Sequence, residues 1–202
     1  MFTEIKKITR IFIIFVVLIF SYINYGCSPA NILATGGGSA MVVAEGERSL
    51  GTVVDDATIK VNIAAKFLNA GNNLFVNINT SVLEGRVLLT GLVDNQELRI
   101  EAVRLVWEAE GVQEIINEIE IGNRSSVTDY ANDLWINTQA RGIAAKTMGI
   151  RAVTFNFETI KGKIYIAGIT TQPNLLEETI SALKNIKGVN EIVNYVIIKE
   201  KN

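Results

Sequence analysis

The chain has 202 residues, of which 49% are hydrophobic and 20% charged, and its formal net charge is −2. This composition allows one or two small folded domains and argues against an extended disordered protein. The sequence contains one cysteine and no histidine. These counts exclude catalysis by a serine–histidine or cysteine–histidine pair, metal sites that use imidazole, and an intramolecular disulfide.

Residues 1–26 have the pattern of an export signal. Basic residues precede an apolar run from Ile11 to Ile23. This run suits a signal and is shorter than the roughly 20 residues that a membrane-spanning helix needs. Three interpretations are open: a lipoprotein signal peptide, an uncleaved inner-membrane anchor, and ordinary cleavage near residues 28–30. The residues that follow the apolar run favour the first.

The segment Asn24-Tyr25-Gly26-Cys27-Ser28 resembles the lipobox of bacterial lipoproteins. The resemblance implies that Cys27 becomes the lipidated N-terminus after cleavage, and Gly26 is the small residue expected before it. Asn24 departs from the pattern, in which an aliphatic residue is usual. Ser28 resembles the sorting pattern of lipoproteins sent to the outer membrane. We therefore expect a lipid-anchored protein on the periplasmic face of the outer membrane.

The rest of the chain divides into a tether and a duplicated unit. Residues 27–52 are small, Gly-rich and aperiodic, which is typical of a flexible tether. Later residues repeat at an offset of 77 without a gap, which predicts two copies at residues 53–122 and 129–199 with a linker at residues 123–128. The matched pairs include Asp56 with Asp133, Gly85 with Gly162, Gly91 with Gly168, and Gly111 with Gly188.

Each copy has the pattern helix, strand, strand, helix, strand. In the first copy, Asp55 or Asp56 is expected to cap the first helix. Residues 74–83 alternate in polarity and predict a strand. A turn at Glu84-Gly85 then leads into the second strand, because glycine tolerates the positive φ of a tight hairpin. Asn95 is expected to begin the second helix, and the second copy follows the same order.

These motifs resemble the BON domain, an αββαβ module of secreted and membrane-associated bacterial proteins. The resemblance is carried by the strand boxes Gly85–Gly91 and Gly162–Gly168 and by the closing motifs Gly111–Ile115 and Gly188–Ile192. It implies an α+β fold of tandem BON modules, each a small three-stranded mixed sheet packed with two helices, after the signal peptide and flexible tether.

The start of each copy narrows the resemblance to dual-BON outer-membrane lipoproteins. Gly51–Asp56 opens the first copy and Asn132–Ile136 opens the second. Membership of that group implies binding of anionic phospholipid through the first helix of the second module and a role in outer-membrane integrity. It implies neither catalysis nor a cofactor.

Charge and one helix provide a separate argument for lipid. Residues 27–122 contain 6 basic and 13 acidic side chains, net −7, whereas residues 126–202 contain 9 and 7, net +2. The second module is therefore the one suited to an anionic surface. A tryptophan and a lysine on one helical face also suit a bilayer interface. The candidate lipid-binding residues are Leu134, Trp135, Thr138, Gln139, Gly142 and Lys146.

A packed helix is the alternative for this segment. Its expected core stripe is Ile136, Ala140, Ile143 and Ala144, and Trp135 lies just off that stripe. The first copy has Thr58 at the position of Trp135, so the tryptophan is either a partly exposed lipid contact or a contact between the modules. Trp107, among acidic neighbours, is expected to pack in the core or between the modules.

Other functions receive less support from the residues. The carboxylate pairs Asp55-Asp56 and Glu177-Glu178 fall near helix starts, where the helix dipole favours acids, so no acid–base catalysis is expected. The glycines at residues 36–38 lack the flanking residues of a phosphate loop, and no nucleic-acid motif is present. Two non-enzymatic alternatives remain: a module that docks on an outer-membrane assembly protein, and a periplasmic stress protein.

Overall fold

The computed structural model describes residues 50–71, 73–122 and 127–200. The expected signal peptide, Cys27 and most of the expected tether lie outside these residues, as does the greater part of the linker. Two α+β modules follow each other in the described chain, and each has the element order expected from the repeat.

The first module contains a sheet of three strands in the order β1-β2-β3. The first two strands form an antiparallel hairpin, and the second and third are parallel. The elements are α1 (Leu50–Ala70), α2 (Leu74–Asn77), β1 (Ile78–Leu83), β2 (Arg86–Val93), α3 (Gln96–Trp107) and β3 (Glu114–Ile121).

The second module has the same topology, with the order β4-β5-β6, an antiparallel hairpin and a parallel third strand. Its elements are α4 (Val127–Met148), a 3-10 helix (Gly149–Thr154), β4 (Asn156–Ile160), β5 (Lys163–Thr170), α5 (Pro173–Leu183) and β6 (Glu191–Ile198). The predicted fold, tandem αββαβ modules with small mixed sheets, is confirmed.

Two local predictions for the first module are wrong. Helix α1 begins at Leu50, so it includes residues 50–52 of the expected tether, and Asp55 and Asp56 lie within the helix rather than capping it. Residues 74–77 form the short helix α2 instead of the start of a strand. A left-handed residue, Asn73 at φ 58°, turns the chain there, and pairing with β2 begins only at Ile78, opposite Gly91.

The expected turns and the second helix start are confirmed. Gly85 and Gly162 have φ values of 75° and 77°, which favour glycine over residues with a Cβ. The side chain of Asn95 caps α3 by accepting a hydrogen bond of 2.9 Å from the Leu98 backbone N–H. Helix α4 starts within the last two residues of the expected linker. Of its predicted stripe, Ile136, Ala140 and Ala144 are buried, and Ile143 is partly buried against the same core.

One face of each sheet packs against the helices of its own module. In the first module, α1 contributes Ile63 and Phe67 to this core and β2 contributes Val87 and Leu89. In the second module the core consists of Ile136, Ala140, Ala144, Phe157, Ile164, Ile166 and Leu183, among others. Burial of these side chains provides the main stabilisation of each module.

The other faces of the two sheets pack against each other. Leu88 of β2 contacts Ala167 of β5, and Leu92 lies in a second cluster with Ile160 and Tyr165. Strands β2 and β5 are therefore covered on both faces, which explains their nearly unbroken apolar sequences. Because of this packing, α1 and α4 lie on the outer sides of the pair of sheets.

Polar groups join the modules around this apolar contact. The Tyr195 hydroxyl donates to Oε1 of Glu118 at 2.5 Å, and the Tyr165 hydroxyl donates to Oε1 of Glu120 at 3.4 Å. Lys163 lies 3.3 Å from the Glu120 carboxylate. Burial raises the pKa of both Tyr165 and Tyr195 to about 12, and Glu118 adds to the effect at Tyr195. The acidic strand β3 thus meets donors from β5 and β6.

Candidate functional site

The six candidate lipid-binding residues lie along the side of α4 that faces away from its core stripe. Trp135 is 59% exposed and Leu134 is 56% exposed. Trp135 belongs to neither of the two apolar clusters between the modules, so the alternative that places it there is wrong. Thr138, Gly142 and Lys146 are exposed, and Gln139 is partly buried.

A hydrogen bond within α4 satisfies the hydroxyl group of one residue on this face. The Thr138 hydroxyl donates to the carbonyl oxygen of Leu134, one turn earlier, at 2.8 Å. This hydroxyl is therefore satisfied within the helix. A Cβ added at Gly142 would meet nothing within 4 Å, so the helix backbone is open to solvent there. Lys146 supplies a cation near the C-terminal end of the same face.

The equivalent face of α1 differs in the residues that a membrane would contact. At the 77-residue offset, Ala57 and Thr58 stand where the second module has Leu134 and Trp135. Helix α1 does expose Val61 and Leu68, so it is not wholly polar. Helix α4 nevertheless differs from α1, because it has two large apolar residues, Leu134 and Trp135, next to each other at these positions.

A buried carboxylate ties the first helix of each module to its hairpin. Both oxygens of Asp133 accept backbone hydrogen bonds of 2.9 Å, from Lys161 and from Gly162. Asp56 accepts from Glu84 and Gly85 with the same distances. Asp56 was one of the two residues expected to cap the first helix. The partners of both aspartates lie 28 and 29 residues away, which is a relationship that no local pattern reveals.

Next to this anchor, each module has a cleft in the same place. It is bounded by the N-terminal half of the first helix, the hairpin turn and the turn that precedes the last strand. The cleft of the second module has a volume of about 630 Å³, and Trp135 lines it as well as the exposed face of α4. The cleft of the first module measures about 860 Å³. Sequence reasoning did not identify either cleft.

Trp107 contradicts its prediction. It is 54% exposed at the end of α3 and belongs neither to the core of its module nor to the apolar clusters between the modules. Ile100, seven residues earlier on the same helix, is 58% exposed. Between them, Arg104 forms ion pairs with Glu101 and Glu108. The tryptophan therefore belongs to a second exposed face that has both apolar and charged side chains.

The described part of the chain offers little for other chemistry. Within residues 50–71, 73–122 and 127–200, no group of three acidic, histidine or cysteine side chains is placed to hold a metal ion. None of the helices in those ranges is sufficiently long and apolar to cross a membrane. The exposed face of α4 and the adjoining cleft are therefore the features to which a function is most readily assigned.

Two successive αββαβ units, joined sheet to sheet and anchored by equivalent aspartates, define a tandem BON-type protein. Comparison with known families agrees: the BON domain matches residues 55–123 and 132–200, which together make up more than half of the chain. The chain belongs to the BON domain family.

Three relatives show how far this similarity extends. An uncharacterized protein in the gshII 5' region of Anaplasma centrale is 34% identical over 72% of this chain and 96% of that protein. The outer membrane lipoprotein DolP of Haemophilus influenzae is 28% identical over 85% of this chain and 89% of its own length. A 21 kDa hemolysin of Actinobacillus pleuropneumoniae is 29% identical over 74% and 78%, respectively.

Proposed function

We propose that this protein is a non-enzymatic, periplasmic lipoprotein of the outer membrane that binds anionic phospholipid through α4 and supports outer-membrane integrity. The observation that carries the proposal is the exposure of Leu134 and Trp135 side by side on that helix. An exposed large apolar pair has an unfavourable contact with water, which insertion among lipid headgroups relieves.

The chemistry of the face suits the headgroup region of a bilayer. An indole ring prefers the membrane interface, because its apolar body and its N–H group are satisfied at different depths. Lys146 lies on the same side of the helix and is exposed, so its ammonium group is available to lipid phosphate. Arg141, in contrast, donates to the carbonyl oxygen of Phe157 at 3.1 Å and is held against β4.

The expected lipid anchor and the relatives support the proposed location. Cys27 is the proposed site of lipidation, and the relative from Haemophilus influenzae is an outer membrane lipoprotein. A single interfacial helix binds a membrane weakly. A lipidated N-terminus on a tether would keep α4 near the surface at high effective concentration, so weak intrinsic affinity is sufficient.

Co-sedimentation of residues 28–202 with vesicles tests the proposal. This form contains both complete modules and lacks the lipid anchor, which would bind any vesicle. We expect it to sediment with vesicles of phosphatidylcholine and phosphatidylglycerol more than with phosphatidylcholine alone. Trp135→Glu should abolish this difference, because a carboxylate at the headgroup level opposes insertion into an anionic surface.

Trp107→Glu is the matched control, since it makes the same change at the other exposed tryptophan. It should leave sedimentation unchanged. Equal losses in the two variants would mean that α4 has no special role. Equal binding of the unmodified protein to both kinds of vesicle would contradict anionic preference.

The exposed face of α3 favours a second candidate function, docking on a protein of the outer-membrane assembly machinery. Ile100 and Trp107 are seven residues apart on one side of that helix, with the Arg104 ion pairs between them. Mixed aromatic and arginine surfaces are common at protein interfaces. Specific capture of an envelope protein that persists in Trp135→Glu and is lost in Trp107→Glu would support this function.

A further inference from the structure

The equivalent clefts of the two modules carry opposite charges at two of their positions. Glu84 and Glu110 line the cleft of the first module, and Lys161 and Lys187 occupy the same places in the second. Over the positions that both clefts share, the first has four carboxylates, Asp55, Asp56, Glu84 and Glu110, and a formal charge of −4. The second has Asp129, Asp133, Lys161 and Lys187, and a formal charge of 0.

The two lysines come from separate turns that the fold brings together. Lys161 belongs to the β4–β5 hairpin turn, and Lys187 to the turn that precedes β6. The glycines that follow them lie in close approach, because a Cβ added at Gly162 would be only 2.4 Å from the carbonyl oxygen of Gly188. Convergence of the lysine-bearing turns therefore depends on glycine at this contact.

The hairpin turn itself is fixed by four hydrogen bonds to two residues, Asp133 and Asn190. Asp133 accepts the N–H groups of Lys161 and Gly162. The side chain of Asn190 donates to the Lys161 carbonyl oxygen at 3.1 Å, and its backbone N–H donates to that of Gly162 at 2.9 Å. The position of Lys161 beside the cleft is consequently built into the module rather than left to a flexible loop.

We propose that this cleft binds the phosphate group of a phospholipid headgroup, with Lys161 and Lys187 as its cationic contacts. The proposal rests on the proposed function and deepens it, because Trp135 borders both the cleft and the exposed face of α4. The Lys161 ammonium group lies beside Gly122 of the first module, 3.2 Å from the position of a Cβ built there, and a rotation of its flexible side chain would bring it to a phosphate bound in the cleft. A lipid whose headgroup phosphate is contacted by both lysines would have its acyl chains on the side of Trp135.

The remaining charges favour a phosphodiester over free phosphate. Two carboxylates, Asp129 and Asp133, also line the cleft, and both oxygens of Asp133 accept backbone N–H groups. Repulsion by this negative charge is stronger for the dianion of inorganic phosphate than for the single charge of a phosphodiester. The first cleft, at −4, would repel either group.

The test compares charge reversals inside and outside the cleft in residues 28–202. Lys161→Glu/Lys187→Glu gives the second cleft the residues of the first at both positions. Lys161 has φ 50° and Glu84 has φ 54°, so this backbone conformation already accepts glutamate. Lys184→Glu is the matched control for Lys187→Glu, because Lys184 is exposed and is not part of the cleft.

We expect the double reversal to weaken binding to vesicles that contain phosphatidylglycerol by roughly fivefold or more for each lysine. Lys184→Glu should change binding by less than about twofold. Inorganic phosphate at matched ionic strength should not displace the protein, and displacement would identify a free-phosphate site instead of a lipid site. If Trp135→Glu abolishes binding while the double reversal behaves like Lys184→Glu, the cleft proposal is wrong and the α4 proposal stands.

A second measurement tests the cleft without a bilayer. Addition of a short-chain, water-soluble phosphatidylglycerol should shift the amide NMR resonances of Gly162 and Gly188 and leave those of Gly85 and Gly111 in place. If the unmodified protein does not sediment with vesicles, the proposed function is wrong, and the chemical shifts alone then test whether the cleft binds a lipid headgroup. Absence of these shifts would show that the cleft proposal is wrong.

Discussion

The Tyr195 hydroxyl donates to the Glu118 carboxylate at 2.5 Å, and this contact joins the last strands of the two modules. Both groups are only partly exposed, beside the apolar cluster that contains Leu83, Leu88 and Ala167. A hydrogen bond to a charged acceptor in such a place contributes more to stability than one at the surface. The orientation of one module relative to the other therefore depends on a few identifiable side chains.

Tyr195→Phe should lower the free energy of unfolding by about 1 to 3 kcal/mol, because it leaves the Glu118 carboxylate partly buried without this donor. Urea denaturation measures the change. Combining Tyr195→Phe with Glu118→Gln should cost less than the sum of the two single changes, since both remove one interaction. Strict additivity in this double-mutant cycle would mean that the contact contributes nothing.

The two interface tyrosines predict a loss of stability in alkaline solution. Burial raises the pKa of Tyr165 and Tyr195 to about 12, against about 10 in an unfolded chain. A group with a raised folded-state pKa stabilises the fold fully below its unfolded pKa, and this contribution disappears as the pH rises through the folded value. Stability should therefore fall between about pH 10 and pH 12, by on the order of 2 kcal/mol per tyrosine.

Unfolding measured in urea at several pH values checks this expectation. The Tyr165→Phe/Tyr195→Phe variant should start from lower stability and lose less of it over the same interval, because phenylalanine does not ionise. Parallel losses in the variant and the unmodified protein would assign the alkaline effect to other groups. Lys163 is one such group, since its carboxylate partners raise its pKa against the opposing effect of burial.

Features that depend on local spacing could be predicted from the sequence. The turn glycines Gly85 and Gly162 and the core stripe of α4 follow from patterns within one copy, and the structure has them. The 77-residue repeat follows from alignment of the two copies, and both fold alike. Trp107 could also have been placed correctly. At 100° per residue it lies roughly 150° from the buried side of α3, which predicts exposure. The prediction of burial relied instead on its acidic neighbours.

Features that depend on distant contacts could not be predicted. A single Asp near the expected start of a helix has the pattern of a cap, and only the fold shows that Asp133 reaches a turn 28 residues later. The nearly unbroken apolar sequences of β2 and β5 are typical of strands that are buried on both faces. They do not show whether another module, another copy or another protein covers the second face.

The cleft of the second module could be predicted from the sequence only in part. The replacement of Glu84 by Lys161 and of Glu110 by Lys187 is visible in the aligned copies. Nothing in the sequence shows that the two positions converge beside Trp135. The site can therefore be identified only from the structure, in which the two glycine turns approach each other closely.

Asp133→Asn is expected to damage both stability and lipid binding. An amide has one acceptor oxygen and would direct its NH2 group at a backbone N–H, so one turn donor loses its partner in a buried place. We expect a loss of about 1 to 3 kcal/mol in unfolding free energy and faster hydrogen exchange at the Lys161 and Gly162 amides. Asp56→Asn is the matched control: it should cost similar stability through the first hairpin and leave vesicle binding intact. Equal vesicle binding by the two variants, under conditions where both are folded, would show that the position of Lys161 does not matter for lipid.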